Sequence, residues 1–542
     1  MNLQRLYHTL RHLKRVQITN RIWRKIHPPR FAKREVAPPL RPRHGHPLAG
    51  AQRRTTLVGP TTQRVFQQTI ELTSNAWNDH ELSHLVLYNL HYFDDLVAEG
   101  AAERRSWHAA LINRWIDENP PGRGVGWEPY PLSLRIVNWI KWALAGNELN
   151  STQLASLATQ VDALVEQLEF HLLANHLFAN AKALVFAGAF FAGEVGDRWL
   201  TRGCELLAAE VTEQVLGDGG HYELSPMYHS IILEDLLDLT QLARLYAGVP
   251  LLQELERYTG TIDQMRRWLA VMTHPDGEIA FFNDAAFDIA PAPAAIHDYA
   301  HRLGFATFPT TFPGATYLSS SGYVRLERDA TVVLIDVAEV GPAYQPGHAH
   351  ADTLSFEWSL GGQRVIVNSG TSCYGISAER LRQRSTAAHS TVVVNGQDSS
   401  EVWSGFRVAR RAHPYDVRVD ESAAKLSVSA AHDGYRRLPC RVRHVRRWDL
   451  SAGRFEIQDQ LVGNPCAGTA HFHLHPQVQL LPNQRRHQQP LRIDNWQISV
   501  EVDQGDLSRV DSTYHPRFDE SVPSHLLISR FLAARHNWQA TW

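Results

Sequence analysis

The chain has 542 residues, of which 44% are apolar and 20% charged, and its formal net charge is −2. That balance excludes a disordered or collagen-like chain, and no stretch reaches the roughly 18 uncharged apolar residues that a membrane span needs. The length predicts two to four domains. The cysteines, Cys204, Cys373, Cys440 and Cys466, form no CxxC pair; free thiols in a reducing compartment are expected, not a zinc ribbon or a redox motif.

The charge is unevenly spread. Residues 1–54 contain 14 Lys and Arg and a single acid, Glu35, so the remainder is net acidic. The arm "LQRLYHTLRHLKRVQITNRIWRKIHPPRFAKR" lacks the uncharged apolar core of a signal peptide. Leu3, Leu6, Leu10, Leu13, Val16, Ile22 and Trp23 are spaced as one apolar helical stripe with basic flanks. Such a stripe suits a membrane surface, an anionic polymer or docking on the acidic body, and the last two are favoured. A Pro- and Arg-rich linker follows, to about residue 60.

Helical periodicity dominates from about residue 61 to 310. Eight segments, from "ELSHLVLYNLHYF" to "LLQELERYTGTIDQMRRWLAVM", carry apolar residues at three- and four-residue spacing, and Gly or Pro marks most of the joins. Successive helices with short joins predict antiparallel hairpins curling into an α/α toroid. After "TFPGATYLSSSG" the pattern changes to short alternating or β-branched runs separated by turn residues, which predicts an antiparallel β-sandwich over 311–542.

Three stretches concentrate polar groups that can do chemistry. In "LEFHLLANHLFANAKALVFAG", Asn175, His176 and Asn180 interrupt an apolar helix and must find hydrogen-bond partners. In "GDGGHYELSPMYHSIILEDLL", Ser225-Pro226 starts a helix and places Tyr228 and His229 in its first turn, with Glu223 just before it. The helix field there is expected to favour a phenolate. In "GHAHADTLSFEW", His348 and His350 share one side if the chain is extended. With Asn368 of "VNSGT" and His389 of "HSTVVVNG", a metal site and a hydrogen-bonded cluster are both open. Arg380, Arg382, Arg384, Arg407, Arg410 and Arg411 are the candidate anion contacts. No GxSxG elbow, Walker loop or HExxH is present.

Taken in order, "NHLFANAKAL", "GDGGHYELSPMYH" and "GHAHADTLSFEW…VNSGT…HSTVVVNG" resemble the heparinase II/III-like polysaccharide lyases, to which alginate lyases are related. The resemblance implies an incomplete (α/α) toroid followed by an antiparallel β-sandwich, with a substrate cleft between them. It implies β-elimination at a uronic acid in an anionic polysaccharide, glycosaminoglycan-like or an alginate or exopolysaccharide, leaving a 4,5-unsaturated end. It places Asn175 as neutraliser of the uronate carboxylate with His176 beside it, Tyr228 as proton donor to the leaving O4 and His348 as base. Glu223, Tyr374, Arg384 and Arg407 are assigned to substrate binding. The chemistry needs no cofactor; a structural Zn or Ca ion would fall on His350, Asn368 and His389, where the family's usual aspartate is replaced by Asn368. Two other readings stand beside this one: a glycoside hydrolase using carboxylates such as Glu223 and Asp284, and a non-catalytic polysaccharide-binding or assembly protein. No nucleic-acid partner is expected. A cytoplasmic site is expected, with periplasmic or membrane-associated placement as the alternative.

Overall fold

The computed structural model describes residues 3–483, 485–532 and 535–542. Two short helices, α1 (Leu3–Leu10) and α2 (Arg15–Ile26), form the arm, which continues as extended chain to a small three-stranded antiparallel sheet beginning at Leu57. The sheet therefore straddles the expected boundary at residue 60. The helical region follows: α3 (His84–Leu90), α4 (Arg105–Glu118), α5 (Pro129–Leu144), α6 (Ser151–Val165), α7 (Ala174–Phe190), α8 (Gly193–Gln214), α9 (Pro226–Leu245), α10 (Pro250–Gln253), α11 (Thr259–Val271) and α12 (Pro293–Arg302). Among the described residues, no helix is long and apolar enough to cross a membrane.

Helix α7 is the centre of this region. It is apolar nearly all round, and every residue except His176 is buried, as expected of a helix enclosed by others. It lies close against α8, and Gly188 permits that approach: a Cβ there would come within 2.3 Å of the Leu200 backbone nitrogen. Trp77, Trp115 and Trp139 are fully buried in the same core.

From Gly314 onward the regular structure is mainly strand, with long loops and a short α-helix at Ala378–Gln383 between strands. A nine-stranded and an eight-stranded antiparallel sheet enclose a second core around Trp358, Trp448 and Trp538. Strand Arg454–Val462 buries every second residue, the period of a sheet with one covered face. A third apolar cluster joins the two regions. Trp268 and Met272 of α11 and its C-terminus pack with Leu224, Phe282, Tyr323 and Leu334. The Trp268 indole also donates to the Ser321 hydroxyl at 2.9 Å. This seam sets helices and sandwich at a fixed spacing, and the cleft described below lies beside it. All four cysteines are free.

Candidate active site

A cleft of about 1510 Å³ is lined by Tyr88, Asn175, His176 and Tyr228 from the helices, by His348, Tyr374, Phe406 and Arg407 from the sandwich, and by Leu10, Leu13 and Arg21 from the arm.

Asn175 stands in the first turn of α7, after a sharp entry in which Leu173 and Ala174 both take positive φ. Gln214 of α8 supports the turn by donating to the Ala174 carbonyl at 2.9 Å. Glu223 fixes the Asn175 side chain: its Oε1 accepts from the Asn175 backbone N–H at 3.2 Å and from Nδ2 at 2.9 Å. One N–H of the amide remains for a ligand. Glu223 is buried and does not line the cleft, so it positions Asn175; the structure does not place it as a substrate contact.

His176 reaches the cleft from the next position. Its Nδ1 meets Glu169 Oε1 at 3.0 Å. Burial alone would lower its pKa, but the charge and hydrogen bond of Glu169 outweigh that and raise it above the ordinary 6.5. Glu169 is held in turn by Asn180, whose Nδ2 donates to Oε2 at 3.0 Å and whose Oδ1 accepts the Glu169 N–H at 2.9 Å. Asn180 is therefore two bonds removed from the cleft.

Tyr228 is the third residue of α9. Ser225 caps that helix, accepting from the Tyr228 N–H at 3.2 Å, and donates to the Asp284 carbonyl at 2.5 Å. The Tyr228 hydroxyl shares a hydrogen bond of 2.9 Å with Tyr374, and its ring lies 4.1 Å from the His348 imidazole, centroid to centroid. The helix N-terminus does not make a phenolate of it. Burial, followed by the neighbouring phenols and the Asp284 charge, pushes its pKa well above the ordinary 10.0. The Tyr228 hydroxyl therefore keeps its proton at neutral pH.

His348 is oriented by Asp284, whose Oδ2 lies 2.8 Å from Nδ1. The carboxylate only accepts, so in the neutral imidazole the proton sits on Nδ1 and Nε2 carries a lone pair. Nε2 lies 3.7 Å from Glu223 Oε2, which has no hydrogen-bond partner among the described residues. Glu223 thus bridges the Asn175 and His348 sides of the site.

Asp284 is the residue that sequence reasoning misplaced. It is fully buried and accepts from both Nη groups of Arg380, from His348 and from His350 Nε2 at 2.8 Å. Burial would raise its pKa, but Arg380 and the two histidines hold it well below the carboxylate range. Saturated in this way, it cannot serve as a hydrolase's acid. The signal available in the sequence was the polar pair Asn283-Asp284 inside "IAFFNDAAF".

Two arginines expected to meet anions face inward. Arg380 is the partner of Asp284. Arg384 is fully buried and donates to the carbonyls of Ala349 (3.0 and 2.7 Å) and Gly405 (3.0 Å), fastening the loop that bears His348 and His350. It is a structural clamp and, although expected to bind substrate, does not line the cleft. Arg407 is exposed at the cleft, its guanidinium 4.9 Å from the Trp403 ring centroid. Tyr374 lies in the wall, bonded to Tyr228 as above.

The histidines expected to hold a metal are together: His350 Nδ1 and His389 Nε2 are 3.2 Å apart. Burial pushes His350 down to about 4 against the pull of Asp284. Asn368 uses its amide on the backbone, donating to Phe281 O at 2.9 Å and accepting from Ser390 N at 3.2 Å. Besides Asp284, the carboxylate of Asp352 is close; with His350 and His389 it offers ligand atoms that all lie within 4.8 Å of one another. These three fit a divalent ion by donor type and spacing.

Comparison with known proteins agrees with the fold of helices followed by antiparallel sheets. The family model "Heparinase II/III N-terminus" matches residues 98–302, and "Heparinase II/III-like, C-terminal" matches 311–542. A heparin-sulfate lyase of Bacteroides stercoris is 25% identical over 251 residues, which is 42% of this chain and 37% of the relative; the match thus spans little more than a third of that lyase. FtsZ-localized protein C of Caulobacter vibrioides is 27% identical over 479 residues, 80% of this chain and 77% of the relative. The crystal structure of heparinase III superposes with a TM-score of 0.70 at 18% identity, covering 86% of this chain and 78% of that one. At that identity the likeness is one of fold. The two family models together take in most of the chain, and the protein belongs to the heparinase II/III-like family.

Proposed function

We propose that the protein is a polysaccharide lyase that cleaves a 4-linked uronic acid in a glycosaminoglycan-type or similar anionic polysaccharide by β-elimination. The observation that carries this is the convergence of a fixed amide, a protonated phenol and an imidazole oriented through Nδ1 in one cleft. The C5–H of a uronate is weakly acidic while the adjacent carboxylate is charged. Hydrogen bonds from Asn175 Nδ2 and from His176, whose raised pKa favours the imidazolium, offset that charge as it spreads into the enolate. His348 Nε2 takes the C5 proton. The C5 electron pair then forms the C4–C5 double bond, the C4–O4 bond breaks, and O4 takes the Tyr228 proton. Tyr228 recovers a proton from the imidazolium of His348, directly or relayed through solvent, which returns both groups to their starting states.

This chemistry requires no cofactor. A divalent ion held by His350, Asp352 and His389 would brace His350 behind Asp284; its contribution would be to position His348. The hydrolase reading is not favoured, because Asp284 is saturated and Glu223 lies behind Asn175. A non-catalytic role, for which the similarity to FtsZ-localized protein C gives a reason, leaves the acid–base set unexplained. Incubating the protein with heparan sulfate, chondroitin and alginate tests the proposal. New ultraviolet absorbance from unsaturated uronate supports it, reducing ends without absorbance support the hydrolase, and no product with any substrate contradicts both.

A further inference from the structure

Helix α2 is mounted the wrong way round for a docking helix. The side turned to the body is polar. Gln17 is fully buried and donates to the carbonyls of Leu172 and Tyr344 at 3.4 and 3.3 Å, Lys14 at its N-cap meets Glu213 at 2.5 Å, and Arg24 Nη1 meets His171 at 2.9 Å. The side turned to solvent is apolar. Ile18, Ile22 and Ile26 follow one another at four-residue spacing, Val16 and Trp23 flank them, and all five are between 39% and 66% exposed. On α1, Leu3, Tyr7 and Leu10 are exposed as well. Water is a poor solvent for such a face, and a helix that buries its polar side has another environment for its apolar one.

The charges beside this face are of one sign. Arg11, Arg15, Arg21, Lys25, Arg30 and Lys33 are exposed in the same segment, and the first acid in the chain is Glu35. A second copy of this chain would bring the same positive charge against it. Isoleucine and tryptophan on one side with arginine and lysine along the edges is the pattern of a helix lying in the plane of a lipid interface. We propose that α1 and α2 form a docking surface for an anionic membrane, with Ile18, Ile22, Trp23 and Ile26 entering the headgroup region and the flanking cations meeting acidic headgroups. Leu10, Leu13 and Arg21 of the same arm line the cleft, so docking holds the cleft beside the lipid surface. The proposal does not depend on the reaction in the cleft.

Flotation of the full chain with vesicles tests it, using phosphatidylcholine alone or with about a third phosphatidylglycerol, at low and high salt. Binding at least about tenfold stronger to the anionic vesicles, weakened by salt, is expected. The paired change Ile22→Ser with Trp23→Ser lowers that binding about tenfold or more, and so does Ile18→Ser with Ile26→Ser; Arg15→Gln with Lys25→Gln lowers it and flattens the salt dependence. The changed apolar side chains are exposed and do not line the cleft, so thermal melting is expected to stay the same. Absence of binding to either vesicle overturns the proposal, as does undiminished binding by the serine variants. A concentration-dependent dimer that the serine changes dissolve and vesicles do not compete away also overturns it, assigning the face to a second copy.

Discussion

Asp284→Asn separates what Asp284 does for the fold from what it does for His348. The carboxylate is fully buried and bound by the Arg380 guanidinium and by two imidazoles. Removing its charge leaves Arg380 buried without a counter-ion, which costs about 3–5 kcal/mol, less whatever hydrogen bond the new amide retains. Because the folded-state pKa of Asp284 is depressed, its stabilisation is present above the unfolded carboxyl pKa and is lost as pH falls through the folded value. The difference between wild type and variant is thus flat across neutral pH and narrows only in acid. The effect on His348 is of another kind. If the asparagine carbonyl stays with Arg380, its NH₂ faces Nδ1, moves the imidazole proton to Nε2 and abolishes the base; a comparable tautomer switch in a serine protease lowers turnover about 10⁴-fold. Asp459 provides the control. It is equally buried, paired with Arg446 at 2.7 Å and His444 at 2.6 Å within the sandwich, away from the cleft. Asp459→Asn is expected to cost similar stability, measured by urea unfolding, and to leave the rate of the folded enzyme unchanged. If Asp284→Asn and Asp459→Asn lower activity equally at equal folded fraction, the claim that Asp284 sets the His348 tautomer is wrong.

Other substitutions separate the remaining roles. Arg384→Met strands carbonyls of the His348 loop and is expected to lower stability by about 2–4 kcal/mol, with kcat falling more than KM rises; a rise confined to KM would restore Arg384 as a substrate contact. Arg407→Ala should raise KM about 3–10-fold at low salt with kcat nearly unchanged, an effect that fades as salt screens the charge. Glu169→Gln removes the charge that raises the His176 pKa, so the alkaline limb of the pH–rate profile should move to lower pH. An unmoved limb would show that the His176 imidazolium is not the group that meets the uronate carboxylate.

Much of this architecture is legible in the sequence because periodicity reports burial. The three- and four-residue spacing marks α4 to α9 and α11, and its replacement by alternation near residue 310 falls between α12 and the strand at Gly314. Asn175, His176, Tyr228 and His348 stand out because each is polar or aromatic at a position where local sequence predicts a turn or an apolar helix. Asp284 is visible as a polar residue in an apolar run, but its role is not: it lies 64 residues before His348, and only the assembled fold brings them together. Arg384 reads as an exposed cation in a polar segment, since nothing local indicates that backbone carbonyls surround it. The phenol of Tyr228 follows its burial, a property of the assembled cleft, and overrides the helix field that the sequence does show. The arm presents the same limit in reverse. Its stripe is visible, but which side faces the body depends on where Gln17 finds its partners.

The central claim is that Tyr228 protonates the leaving oxygen in an elimination that produces unsaturated uronate. Tyr228→Phe keeps the ring against His348 and removes only the hydroxyl shared with Tyr374, at a stability cost of about 1 kcal/mol. The decisive measurement is therefore the initial rate of ultraviolet-absorbing product from a uronate polysaccharide, wild type against Tyr228→Phe, with mass spectrometry of the ends. Unsaturated ends are expected from the wild type, with a loss of about 10²–10⁴-fold in the variant. Unsaturated ends formed equally fast by Tyr228→Phe, or no unsaturated ends from the wild type on any uronate polymer, would contradict it.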